Sequence, residues 1–281
     1  MGSIGIHDLI GAYDSDDFGI PRNGNGDAGK KFIEAFTYIA AQGVANGVLF
    51  VRPGTYNFET AAVQPSNIEV KGSGRATVFR RSAVVDCDVW QSTDASNIRL
   101  SRVRIDGNRS NQAAGNGNGL VCNGVTDAII EDVEVVGCRS DGIWLGNECS
   151  RVELRGVRAS DNGRHGIALS FSDFCLLTAP RCFNNSRVSD SEVGDGISLD
   201  FFSHDNMIIA PLCYEDALTG GRQGYGIREV LAGGCYRNLI IGNPQANVTG
   251  NYLVGPESLV VDLTGLFSGG LGLGTTSPNA S

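Results

Sequence analysis

The chain has 281 residues, a net charge of −9, 41% apolar residues and 19% charged ones. This balance is globular, and the acidic excess argues against a nucleic-acid partner, which would need clustered Lys and Arg for phosphate. No run of about 18 apolar residues occurs, so no membrane span is expected, and 39 glycines suit many short strands joined by tight turns.

Met1 to Asp8 has neither a charged n-region nor an apolar h-region, so no secretory signal is expected. Residues 1–66 read as an N-terminal cap. Within it Phe32, Ile33, Phe36, Ile39 and Ala40 recur at helical spacing, predicting a helix from Lys30 to Gln42 that stops at Gly43. Gly47 to Phe58 follows as a buried strand, a Pro53-Gly54 turn and a second strand.

Residues 67–262 are repetitive. Gly142-Ile-Trp-Leu, Gly166-Ile-Ala-Leu, Gly196-Ile-Ser-Leu and Gly226-Ile-Arg-Glu repeat one phrase, with Gly119-Leu-Val-Cys as a weaker copy, at steps of 23, 24, 30 and 30 residues. A second column aligns Val103-x-Ile105, Val133-x-Val135, Val157-x-Ala159, Pro180-x-Cys182, Pro211-x-Cys213 and Pro244-x-Ala246. Two columns in phase mean at least two strands per coil, and a run of small inward residues suits coils stacked about 4.8 Å apart. β-branched residues and glycines are too frequent for helical repeats, and the repeats are too short for propeller blades. The expected fold is all-β: a single-stranded right-handed parallel β-helix with an N-terminal capping helix. Cys182 and Cys213 fall on inward positions, so reduced, structural cysteines are expected, and no zinc spacing is present.

Gly26-Asp-Ala-Gly before the helix and Pro53-Gly-Thr-Tyr after it resemble the entry of the pectate-lyase-like superfamily, whose members begin with a capping helix and such a turn. That resemblance spans about residues 20–255 and implies the β-helix fold, while lyases, hydrolases, epimerases and adhesins all use it. Residues 263–281 leave the repeat as a Gly-rich tail. Its Gly272-Leu-Gly-Thr-Thr-Ser-Pro resembles a phrase of phage tail fibres and tailspikes ahead of a cleaved chaperone domain, which implies a virion or extracellular location and a homotrimer.

Corner lengths between the two columns vary. They are short at 139–141 and 160–165, and long at 106–118, 183–195 and 214–225. Long loops stacked on one edge would wall a groove over the coils of Asp141, Trp144, Arg158 and His165. The residue before each glycine forms a polar column of Asn118, Asp141, His165, Asp195 and Tyr225. Such groups are ordinary turn formers and equally acids and bases. Asp195 and Asp200 are the carboxylate pair suited to glycoside cleavage, and His165 or Tyr225 would abstract the proton in β-elimination. Trp144 offers a sugar-stacking ring, and Arg158, Arg181 and Arg228 can grip a uronate or sulfate. Arg104, Glu134, Arg158 and Arg181 also read as a cross-strand charge ladder. The expected partner is a polysaccharide or oligosaccharide; no cofactor is expected, and calcium stays open although no motif for it is present. Three functions stay open: a polysaccharide depolymerase (hydrolase or lyase), a non-catalytic glycan-binding fibre or adhesin, and an alginate-type C5-epimerase.

Overall fold

The structure is a computed structural model, described over residues 11–43, 45–112, 115, 117–187, 194–216, 222–230, 232, 234–242 and 249–262. Pro244, Ala246 and the 263–281 tail lie outside these residues. The chain winds as a right-handed parallel β-helix of about seven turns, each turn adding one strand to each of three sheets. Sheet 1 has ten strands, sheet 2 seven and sheet 3 eight, and all pairs are parallel.

One coil shows the path. Ser96–Ser101 lies in sheet 1, Arg104–Asp106 in sheet 2 and Leu120–Asn123 in sheet 3. The sequence had resolved two strands per coil because the Leu-x-x-Val-x-Ile phrase straddles the 1→2 corner. Leu100 belongs to sheet 1 and Ile105 to sheet 2, and between them Arg102 turns the chain at φ 57°. Asp132, Gly156, Ala179 and Ala210 take the same left-handed role in later coils. Only one of those five is glycine, so no turn signal announced the third strand.

Alternation within each strand sends every second residue inward. Leu100, Ile130, Leu154, Leu177, Ile208 and Ile240 stack in sheet 1 at 0–1% exposure. Cys182 and Cys213 pair in register on sheet 2, are fully buried, and are free thiols. Burial pushes the Cys182 thiol well above its ordinary pKa, so it is an inert small hydrophobe.

The N-terminal end of this core would be open to water. Helix α1, Ala28–Ala41, closes it by burying Phe32, Phe36 and Ile39. Phe32 stacks on Phe58 at 5.7 Å and meets Phe79 and Trp90 edge-on at 5.3 Å each, while Phe79 and Trp90 stack at 4.9 Å. Asp27 caps α1, accepting from the N–H of Gly29 and also of Glu59 and Thr60. Burial pushes its carboxyl up, but these donors together hold it below its usual value. A Cβ on Gly29 would lie 1.8 Å from the Thr60 carbonyl oxygen, which ties the Asp-Ala-Gly phrase to the docking of helix on coil.

Candidate functional site

The polar column at the 2→3 corner is a hydrogen-bonded ladder. The backbone N–H of each member donates to the side chain of the one before it. Asn118 donates to Asp88 Oδ1, Asp141 to Asn118 Oδ1, His165 to Asp141 Oδ1, Asp195 to His165 Nδ1 and Tyr225 to Asp195 Oδ1, at 2.7–3.0 Å. Each rung satisfies a buried N–H that the sheet does not reach. The glycine after each rung lets the coils approach. A Cβ on Gly142, Gly166 or Gly196 would sit 2.6 Å from the carbonyl oxygen of the next coil's glycine.

His165 therefore does not fit the base role expected of it. Its ring is fully buried and its Nδ1 accepts the Asp195 N–H, so the proton sits on Nε2. Burial, with Arg164 and Arg228 adding repulsion, pushes its pKa well below the ordinary value. The lone pair that would take a substrate proton is already used.

Asp195 differs. Its Oδ1 is a ladder rung, while Oδ2 lies 2.7 Å from Arg228 Nε and 3.6 Å from His165 Nδ1 with no N–H aimed at it. Burial raises the carboxyl to about 6, against the Tyr225 N–H and Arg228, which lower it, and with Asp200, which adds to the rise. Asp200 stands at the end of the sheet 3 strand Ile197–Asp200, 7% exposed, where Ser198 Oγ donates to its Oδ1 at 2.8 Å. The structure thus brings Asp195, Asp200 and Arg228 into one electrostatic cluster. It adds Ser198 and Arg164, which the sequence reading had not assigned. Ser198 was findable, being two residues before Asp200 on the same face of one strand.

The outward column of sheet 3 runs Val121, Trp144, Ala168, Ser198, Arg228 in register. Ala168 and Ser198 are nevertheless buried. Trp144, in the strand Ile143–Gly146, folds over Gly146, where a Cβ would meet Cζ2 at 2.2 Å. Its half-buried indole lies along the sheet as a flat apolar surface. Asp141 is buried as a ladder rung with Oδ2 3.7 Å from Arg164. Tyr225 is half-buried and contributes its backbone N–H to Asp195.

Arg158 and Arg181 are not brought to this cluster. They neighbour each other on sheet 2, where Arg158 covers the Phe183 ring at 5.3 Å. The charge ladder expected there is interrupted, because Glu134 accepts from Nε and Nη2 of Arg75 at 2.6 Å each. Of the long corners expected to wall the groove, residues 113–114, 116, 188–193 and 217–221 lie outside the described ones. A recess of about 430 Å³ opens elsewhere, at the first coils, beside Asp14, Phe50, Arg52, Lys71 and Arg102. Among the described residues no group of three or more His, Cys, Asp or Glu is placed to hold a metal ion.

Residues 57–229 match the family described as right handed beta helix region. The chain belongs to that family. No curated protein matches its sequence. Among solved structures the β-helix is similar to the Dettilon tailspike protein gp208, at TM-score 0.70 and 15% identity over 92% of this chain and 50% of that one. It is similar to ORF18 of Geobacillus virus E2 at 0.64 and 17%, covering 86% and 52%. A third is tailspike gp49 of the Acinetobacter baumannii bacteriophage Fri1, a capsular polysaccharide depolymerase, at 0.57 and 12%, covering 89% and 58%. The chain thus spans about half the length of these β-helix proteins, and at such identities the likeness is one of fold.

Proposed function

We propose that this β-helix cleaves a surface or extracellular polysaccharide as part of a phage tailspike-type homotrimer, by hydrolysis at the Asp195–Asp200 pair. The observation that carries this reading is the placement of two carboxylates with different partners in one cluster. Burial holds Asp195 protonated up to about 6, while Asp200 is hydrogen-bonded by Ser198. A carboxyl kept neutral can protonate the glycosidic oxygen, and a second carboxylate at the end of the strand that follows it serves as nucleophile or as base for water. Arg228 steadies the Asp195 carboxylate left after proton transfer, and Trp144 supplies an apolar face for a sugar ring. Fold likeness to a capsular polysaccharide depolymerase supports the substrate class.

Hydrolysis is favoured over β-elimination because His165, one of the two expected bases, has its acceptor nitrogen committed, which leaves only Tyr225 for that role. The test is incubation with a panel of capsular polysaccharides, with reducing ends and absorbance near 235 nm followed together. Asp195→Asn and Asp200→Asn are each expected to cut reducing-end release by about 10² or more. Undiminished release in both variants, or a rise in ultraviolet absorbance matching the ends released, contradicts the assignment.

A further inference from the structure

Two surface features change character at the same coil. The first is the corner from sheet 3 to sheet 1, where one position recurs as a left-handed residue from coil to coil. Asp94, Gly124 and Asn147 hold that place in the early coils, with φ 48°, 64° and 51°. These are the residue types that tolerate it. The next two coils put Phe171 and Phe201 there, at φ 51° and 39°, with Phe202 beside them at 55°. A second left-handed position at the same corner reads Asn97, Asp127 and Arg151, then Phe174, and returns to Asp205 and Arg237 in the two coils after it. Phenylalanine is costly in this region, and a core does not repay the cost, for the four rings are 45–58% exposed. Phe171 and Phe201 stack at 5.7 Å, making one continuous apolar ridge.

The second feature is the outward face of sheet 1. Its two register columns begin as Glu69, Arg99, Ile129, Glu153 and as Lys71, Ser101, Glu131, Arg155. From the same coil onward they read Leu176, Met207, Leu239, Leu259 and Thr178, Ile209, Ile241, Val261. Not one of these eight later positions is charged. An uncharged apolar face next to an exposed aromatic ridge is the kind of surface that marks an interaction site.

We infer that this ridge and face bind a second copy of the same chain. The inference rests on the oligomeric part of the reading above and names the surface responsible. Three properties select a second copy. The columns run parallel to the solenoid axis, so an identical chain in parallel register meets apolar rungs at every height. Each chain carries −9, so copies approach with least repulsion through a face free of charge. A glycan, by contrast, requires hydrogen-bonding groups among the rings, and the two columns offer Thr178 alone. His204, Asp205 and Arg237, linked by ion pairs beside Phe174, form the polar rim usual at such a core.

The test is the mass of the full chain in solution by light scattering at micromolar concentration, for the wild type and for Phe171→Asn/Phe201→Asn. Asparagine suits the left-handed backbone, so the double variant should fold at least as well, with unchanged circular dichroism. The expected result is a wild-type assembly of three 29.6 kDa chains, and an association weakened about 100-fold or more in the variant. Ile129→Glu, on the same sheet before the switch, should leave assembly intact. An assembled double variant overturns the assignment of this face while leaving the trimer standing. A monomeric wild type overturns both, and polysaccharide cleavage is then judged separately by its own assay.

Discussion

At the scale of single residues, Asp195 and His165 show how one ladder yields two kinds of chemistry. Each accepts a backbone N–H from the next coil, and each keeps one side-chain atom without a hydrogen bond: His165 Nε2, which carries the proton, and Asp195 Oδ2, which lies beside Arg228. His165→Ala should leave the Asp195 N–H buried and unpaired, costing about 1–3 kcal/mol in urea unfolding. His165→Asn, which restores an acceptor, should recover most of it with cleavage intact; a variant that is stable but inactive would return the histidine to the reaction. Asp195 also makes a thermodynamic prediction. Its folded pKa of about 6 exceeds the ordinary 3.8, so the native state holds its proton more tightly than the unfolded chain. That stabilisation is complete below about 4 and is lost as pH rises to about 6. Asp195→Asn keeps the rung and has no such loss. Relative to wild type it should therefore gain stability between about pH 4 and about pH 7, by up to about 3 kcal/mol in melting experiments. A constant difference across that range would show that the carboxyl is not raised.

At the scale of elements, the repeat was legible because a solenoid writes its register into the sequence. Gly-Ile-x-Leu and Val-x-Ala each named a sheet, and the capping helix, expected at 30–42, occupies Ala28–Ala41. The third sheet was not legible, because the corner before it is turned by Arg, Asp and Ala as readily as by Gly. The ladder was half legible. Its members were found as a column, but whether Asp141, His165 or Asp195 retains a spare atom depends on which neighbour's N–H each one meets. Reading Ala168 and Ser198 as outward followed from period 2, yet outward on a strand was not exposed here. The glycine column yields a sharper test. Gly196→Ala places a methyl 2.6 Å from the Gly226 oxygen and 3.0 Å from Cys213 Cβ, both within the stacked core. It should lower the melting temperature by roughly 4–12 degrees, on the order of 2–3 kcal/mol of overpacking, whereas Ala at exposed Gly43 meets only the strain of φ 68° and should cost about 1 kcal/mol. Equal effects would mean that the glycines are turn formers and not spacers.

At the scale of the whole molecule, the coils divide the work along the axis. The first are sealed by α1, the middle ones carry Trp144 and the polar ladder, and those after residue 167 combine the carboxylate pair with an apolar flank. In the proposal sheet 3 carries the chemistry and sheet 1 the association surface, on adjacent faces of one solenoid. The fold alone decides neither, since β-helices host many activities. The most direct measurement is the pH dependence of reducing-end release from a cleaved capsular polysaccharide. With Asp195 as proton donor, the rate must fall as pH rises through about 6, and Asp195→Asn must abolish that limb along with the activity. A rate that stays level through about 6, or tight glycan binding with no ends released across the panel, would contradict the account.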